Sequence, residues 1–594
     1  MLRFLLILSL SPLCARAFER SPVVATTEAP MKFERKGDRA WFIDFGTAAF
    51  GNVEITSPDA KAGTKVTVHL GEALAGPAEV NRQPGGTVRY QRHEVTLRPR
   101  VAARPALTWA PPGWMKSGWL ELPKETGQVM PFRYVEVENA PESFAIDQIR
   151  RVSWSVPFDE SAAAFESSSA ELDAVWALCK HSIKATSFMG LYVDGDRERK
   201  PYEADVLINQ LSHYCLDARY DTARLSHEYL LEKPTWPTEW RLQSVILGWN
   251  DFLWSGDDRS LRRHYPTLKE RAMIGRRTGD GLFKGWNEGE LTDIVDWPAG
   301  ERDGYDMKPE VKTVVTAFHY RALVLLEQIA KRLGKNSEAK EFADLAQATL
   351  TAFNERLWDE DRGCYLDGLD PVSGQASGHA SAHASFFPLA FGMVPADRVA
   401  RVAAFLKPRG MACSVYGAQF LLEALYDAGE ADHALSLLVA DGQRSWRNMS
   451  EKVGSTITLE AWDPALKPNL DWNHAWGAAP ANLIPRKLMG IEPLEPGFKR
   501  FRVKPQTASL ERAKLKLPTP AGPVLLEIHG IGADAWRASL VVPKGTAAEF
   551  HLPFAGEPVV SSAGVPVEPR VLRETGGRRV IGLLPGSWEI SLKR

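Results

Sequence analysis

The chain reads as an all-α toroid of helical hairpins set between two β-sandwich domains. Three observations carry that reading. Short alternating apolar and polar runs fill residues 18–157, apolar residues at helical spacing fill 158–494, and the alternating texture returns over 495–594. At 594 residues there is room for two to four domains. A content of 44% hydrophobic and 25% charged residues excludes disorder, collagen and coiled coil.

Residues 1–17 form the first element. Met1-Leu2-Arg3 is a short positive start, 4–13 is apolar apart from Ser and Pro, and Ala15 and Ala17 occupy the two positions a signal peptidase reads. The apolar run is about half of the ~20 residues a bilayer span requires. A cleaved leader is therefore expected, with an exported chain and no insertion into the membrane. Cys14 raises a lipoprotein-type signal, but the bulky Leu13 before it argues against one. Cys179, Cys215, Cys364 and Cys413 follow singly without CxxC spacing, so free buried thiols are expected, with one bridge as the alternative.

In the N-terminal block, WFIDFG at 41–46, VTVHLGEAL at 66–74 and FRYVEVENA at 132–140 alternate with period two between Gly, Pro and Asn breakers. Antiparallel strands in a sandwich follow from that pattern. In the middle block, ELDAVWALCKHSIKAT at 171–186, VLINQLSHYCLDARY at 206–220, TVVTAFHYRALVLLEQIAKRLG at 313–334 and GAQFLLEALYDAG at 417–429 carry helical spacing. About a dozen such helices fit, with no interleaved strands, and no fixed-length repeat supports a solenoid. In the last block, KRFRVKPQ at 499–506, PVLLEIHG at 523–530 and SWEISLKR at 587–594 predict a second β-domain.

Lys plus Arg number 72 and Asp plus Glu 74, a net charge of −2, so no basic surplus serves nucleic acid. Nineteen Trp suit a chain that stacks sugar rings, beside their ordinary place in cores.

Four segments carry candidate chemistry. YVDGDRERKPYEADVLINQLSHY at 192–214 is a charged loop feeding a helix, with Pro201 suited to its first turn. Asp194, Glu198 and Asp205 repel one another, which raises a carboxyl pKa, while Arg197, Arg199 and the helix dipole pull the other way. That balance can poise a general acid; a solvated loop of surface ion pairs is the alternative. GSTITLEAWDP at 454–464 sets Glu460 among apolar neighbours, where a helix-capping or structural role competes with a catalytic one. Two carboxylates from distant loops are the minimum for glycoside hydrolysis. DIVDWPAGERDGYD at 293–306 pairs Asp296 with Trp297, a sugar-site combination or a polar loop with one buried Trp. NLDWNHAWG at 469–477 offers His474 as a donor to a substrate hydroxyl or as a satisfied buried histidine. His379 and His383 share a helix face, but no Glu stands between them as a metalloprotease base and no third ligand is near, so no metal is expected.

The order of these segments resembles the bacterial α-L-rhamnosidases, glycoside hydrolase family 78, whose catalytic domain is an (α/α)6 six-hairpin barrel. Arg197-Glu198-Arg199, Tyr202 and Asp205 match the family's acidic loop, with Tyr for the usual Trp. PTEWRLQSVILGWNDFLWSGD at 237–257 is similar to its Pro–Trp–Gly-Asp helix pair, VDWP at 295–298 to its Asp-Trp loop, and TLEAWD at 458–463 to its Thr–Glu–Trp segment. NHAWG followed by GIEPLEPGFKRFRVKPQ resembles the junction with the C-terminal β-domain. Two departures border the sugar subsite: the loop is one residue shorter before the Arg, and Tyr202-Glu203-Ala204 replaces Trp-Thr-Gly.

The resemblance implies removal of terminal α-L-rhamnose from a glycan or glycoside by inversion, with Glu198 as general acid and Glu460 as general base. Asp194, Asp205 and Asp296 would hold sugar hydroxyls, and Arg197, Tyr202, Trp297, Trp462 and His474 would complete the subsite. No cofactor is implied. Two rivals stay open from the residues: a polysaccharide lyase recruiting Tyr202, Tyr305 or His474, and a carbohydrate-binding protein without turnover.

Overall fold

The computed structural model describes residues 18–286, 291–530, 535–575 and 577–593; the expected leader at 1–17 lies outside them. In the N-terminal block, seven strands are linked by hydrogen bonds into one antiparallel sheet. Its order is Val24–Glu28, Ile149–Ser155, Ala40–Ile55, Met130–Glu138, Thr64–Gly71, Tyr90–Leu97, with Lys32–Gly37 added beside Ala40–Ile55. The strand Ala40–Ile55 links its two parts. Its register shifts between Asp44 and Ala49, and only the part beyond the shift pairs with Ile149–Ser155, so one long strand serves both ends of the sheet. Ile43, Val53, Val68, Leu70, Phe132 and Val135 pack the apolar face.

Twelve α-helices follow among the described residues: α1 Ala170–Ala185, α2 Glu203–Leu216, α3 Asp221–Glu232, α4 Thr238–Ser255, α5 Arg259–Arg271, α6 Thr313–Arg332, α7 Asn336–Arg356, α8 His383–Ala390, α9 Val399–Leu406, α10 Gly417–Asp427, α11 Ala431–Leu438 and α12 Pro480–Leu483. The start of α1 is written locally: Ser169 accepts from the Leu172 amide at 3.3 Å, with Glu171 and Asp173 at the positive helix end. Helix α2 packs on α4, α4 on α6, α6 on α8, α8 on α10, α10 on α12, and α12 returns to α2. The odd-numbered helices lie against these. Composition follows position. Every residue of α2 is buried, whereas α7 buries only a stripe formed by Ala339, Phe342, Ala346, Thr349, Ala352 and Phe353.

The C-terminal block holds a seven-stranded and a five-stranded sheet, with the Trp536 and Phe550 rings 6.0 Å apart between them. Two of its strands come from the stretch whose texture reads as helical. Ala164–Ser167, ahead of α1, pairs with Arg512–Leu517, and Ile491–Pro493 pairs with Arg500–Val503. One apolar core runs through the helical and C-terminal blocks. Among the described residues no helix is long and apolar enough to cross a membrane. Cys179, Cys215, Cys364 and Cys413 are free and buried.

Candidate active site

The loop between α1 and α2 is stripped of solvent: Asp194, Asp196, Arg197, Glu198 and Arg199 are all buried. Pro201 stands two residues ahead of α2 and Tyr202 is its N-cap, so the helix begins just past the expected turn. Residues of the N-terminal block hold the loop from outside. Asp196 accepts from Arg199 at 2.7 Å and pairs with Arg89 at 2.5 Å, and its carbonyl accepts from the Trp109 indole at 2.7 Å. Arg199 donates to the Val129 carbonyl at 2.9 Å and lies over the Trp109 ring. A Cβ at Gly195 would stand 2.8 Å from Asp471 Oδ2 and 3.0 Å from the Asn473 carbonyl, so the loop closes against the 469–474 segment only with glycine there.

Arg197 faces the interior and joins two carboxylates. Its Nη2 lies 3.0 Å from Glu198 Oε1 and 2.9 Å from Glu460 Oε1, so by the triangle inequality those oxygens are at most about 5.9 Å apart. Its Nη1 donates to Glu460 Oε2 at 2.8 Å and to the Asn469 carbonyl at 2.8 Å. Glu460 Oε2 also accepts from the Asp471 amide at 3.1 Å and faces Lys467 Nζ at 3.2 Å. Burial by itself would raise the Glu460 pKa, but Arg197, His474 and Lys467 together outweigh it and bring it down to about 2. The other oxygen of Glu198, Oε2, accepts from the Tyr202 hydroxyl at 2.6 Å.

Two further carboxylates behave oppositely. Burial, reinforced by the Glu198 and Asp471 charges, pushes the Asp194 pKa well up. Asp194 Oδ1 accepts from the Lys200 amide at 3.1 Å, while its buried Oδ2 has no partner among the described residues. Asp205, in the first turn of α2, is raised by burial against the opposing pull of His474, whose Nε2 lies 2.6 Å from Oδ1.

These groups wall a cavity of about 300 Å³ that also exposes Trp114, Trp236, Trp240, Ile294, Trp297, Lys467, Asn469 and Trp476. Its floor is a chain of rings. Tyr202 meets Trp240 edge-on at 5.7 Å, Trp240 meets Trp476 at 6.2 Å, and Trp476 stacks on His474 at 4.8 Å. Carboxylates, a guanidinium and apolar ring faces within one cavity suit a polyhydroxylated ligand and proton transfer to or from it.

Of the residues expected at the site, Asp194, Arg197, Glu198, Tyr202, Asp205, Trp297, Glu460 and His474 line this cavity. Two do not. Asp296 is fully buried and spends both oxygens internally: Oδ2 on His383 Nε2 at 2.8 Å and the Ser414 amide at 2.9 Å, Oδ1 on the Ser414 hydroxyl and the Trp297 amide. A Cβ at Gly417 would stand 2.6 Å from Asp296 Oδ2, so this strut needs the glycine. Trp462 is also fully buried, donating to the Cys413 carbonyl at 2.7 Å and packing edge-on against Trp446. Tyr305, a base in the lyase reading, is buried with its hydroxyl on the Asp367 carbonyl. His383 serves Asp296 and His379 serves Asp367 at 2.6 Å, and no group of three metal-ligating side chains occurs among the described residues.

Sequence reasoning did not single out Trp114, Trp236, Lys467 or Asn469. Lys467 lies between the motif segments at 454–464 and 469–477 and Asn469 opens the second, a proximity that marks them; Trp114 and Trp236 carry no such signal.

Comparison with known proteins matches three family models to the chain. The bacterial alpha-L-rhamnosidase six-hairpin glycosidase domain matches residues 160–488, the C-terminal domain 490–565 and the concanavalin-like domain 34–154. An alpha-L-rhamnosidase of Alteromonas sp. (strain LOR) is 27% identical over 350 residues, covering 56% of this chain and 36% of that protein. One from Formosa agariphila is 24% identical over 303 residues, covering 48% of this chain and 30% of that protein. The chain thus spans about a third of the length of the curated relatives it matches. In fold it is similar to the alpha-L-rhamnosidase from Dictyoglumus thermophilum, with a TM-score of 0.79 at 18% identity over 97% of this chain and 64% of that one. The Streptomyces avermitilis alpha-L-rhamnosidase complexed with L-rhamnose gives 0.75 at 18% identity over 97% of this chain and 54% of that one.

Proposed function

This chain belongs to the bacterial α-L-rhamnosidase family of six-hairpin glycosidases, and from that premise we propose that it is a glycoside hydrolase. It removes terminal α-L-rhamnose from glycans or glycosides with inversion at the anomeric carbon, and acts outside the cytoplasm. The observation that carries this reading is the pair Glu198 and Glu460, held by one guanidinium at the wall of an aromatic-floored cavity. The ring closure of the even-numbered helices supports an (α/α)6 toroid with the cavity at the N-terminal ends of α2 and α4.

Glu198 gives its proton to the glycosidic oxygen as the bond to the anomeric carbon breaks. Glu460 takes a proton from the attacking water. Glu198 is left ionised and Glu460 protonated, and exchange with solvent restores both. On Glu460, Oε2 already faces three donors, whereas among the described residues Oε1 accepts only from Arg197. Oε1 is therefore the oxygen free to take a water. The unpartnered Oδ2 of Asp194 accepts from a sugar hydroxyl. The 6-methyl group of rhamnose, laid against the rings of Trp240 or Trp476, gains about 1 kcal/mol.

The test is turnover of a nitrophenyl α-L-rhamnoside. Glu198→Gln or Glu460→Gln should cost about 10² to 10⁴-fold in kcat with the fold intact. Near-wild-type turnover in either variant overturns its role. Proton NMR of the first-formed anomer should show inverted rhamnose; a retained anomer would overturn the base assignment.

A further inference from the structure

The cavity has a dry floor and a bare rim, and two domains make the rim. On the floor, Trp240 and Trp476 are 6% and 1% exposed; Trp114 and Trp236 line the same cavity at 66% and 40%. Trp236 sits in the connection between α3 and α4. Trp114 belongs to the N-terminal block, in the stretch between strands Tyr90–Leu97 and Met130–Glu138. Neither indole makes a side-chain hydrogen bond, ring contact or cation contact among the described residues. Two large flat side chains held open to water beside a charged cavity are surfaces waiting for a ring, since an indole gains most from a flat apolar face laid against it.

The direction of the substrate then assigns them. A terminal sugar cleaved by Glu198 and Glu460 enters first and occupies the floor, so the group attached through the glycosidic oxygen points back to the mouth. We propose that Trp114 and Trp236 form the leaving-group subsite and take a ring, either a second sugar or a phenol, attached to the sugar that is cleaved. The proposal rests on the hydrolase reading. It gives the N-terminal block a part in substrate choice, because one of the two platforms belongs to it.

Trp114→Ala and Trp236→Ala, made separately in the full chain, test this. The substrates are methyl α-L-rhamnoside, a rhamnosyl-glucose disaccharide and nitrophenyl α-L-rhamnoside. Each variant should lose about tenfold in kcat/KM on a substrate with a ring in the leaving group, mainly through KM, and less than about twofold on the methyl glycoside. Trp114→Phe should recover most of the loss, because it keeps a flat face. Loss on the disaccharide alone assigns a sugar ring, and loss on the nitrophenyl glycoside alone assigns a phenol. Equal losses on all three substrates, or none on either ringed one, overturn the proposal. If the wild type turns over no rhamnoside, the hydrolase reading fails instead. Calorimetric binding of the disaccharide to wild type and Trp114→Ala then decides the rim separately: weaker binding by the variant supports it, and equal binding overturns it.

Discussion

The acidic loops at 194–205 and 293–306 are alike as strings, each crowding carboxylates, arginine and an aromatic residue into a dozen or so positions. Folded, they do opposite work. Asp194 keeps one oxygen without a partner among the described residues at the cavity wall, while Asp296 divides both of its oxygens among His383, Ser414 and Trp297. A carboxylate can serve a ligand only with lone pairs that the protein has not already used. In the first loop charge is left available for chemistry; in the second it ties the segment around 296 to the start of α10.

The contrast breaks most directly by mutation. Glu198→Gln should cost orders of magnitude in turnover and little stability, whereas Asp296→Ala should do the reverse. Removing Asp296 strands buried donors on Ser414 and His383, a loss of about 3 kcal/mol read by urea unfolding, with the folded fraction still active. If Asp296→Ala unfolds normally and loses turnover instead, the two loops are not distinct in the way described.

Asp194→Asn sharpens the same point. Because the folded pKa of Asp194 is raised, its ionisation costs stability as pH rises through that value. The Asn variant should melt a few degrees higher than wild type at neutral pH, lose that advantage in acid, and bind substrate worse at every pH. Thermal melts across pH and KM values check this together.

Glu460 has the opposite sign. With its folded pKa lowered to about 2, its ion pairs stabilise the fold above the ordinary carboxylate range, and that contribution is lost as pH falls toward 2. The stability gap between wild type and Glu460→Gln should therefore be full at neutral pH and close progressively below about pH 4.5. The smallest effect belongs to the thiols. Cys179, Cys215, Cys364 and Cys413 are buried, and burial raises the pKa of each. Alkylation of the native protein should leave its activity unchanged, and rapid inactivation would contradict that burial.

What could be read in the sequence was local. The acidic loop carries Glu198 and Tyr202 four residues apart, and they meet; helical spacing marked most of the helices. The fate of Asp296 was not legible, because its partners His383 and Ser414 lie 87 and 118 residues further along. Asp194 and Asp296 both stand among acidic and aromatic neighbours, and no local pattern says whose oxygens a distant hydroxyl will take. The same holds for Trp114, whose place at the cavity depends on how the N-terminal sheet docks. It holds too for Ala164–Ser167, a four-residue strand whose partner is more than 300 residues away. Trp462 misled for a different reason: adjacency to Glu460 says nothing about direction, and its ring turns into the core.

The hold of Arg89, Trp109 and Val129 on the loop of Glu198 ties the proposed catalytic loop to the N-terminal block. A helical block produced alone would leave Asp196 short of Arg89, and would uncover one face of Arg199. Glu198 would then ride on a slack segment. Anyone trimming the molecule to a minimal catalyst, or grafting its barrel onto other modules, inherits both pieces or neither.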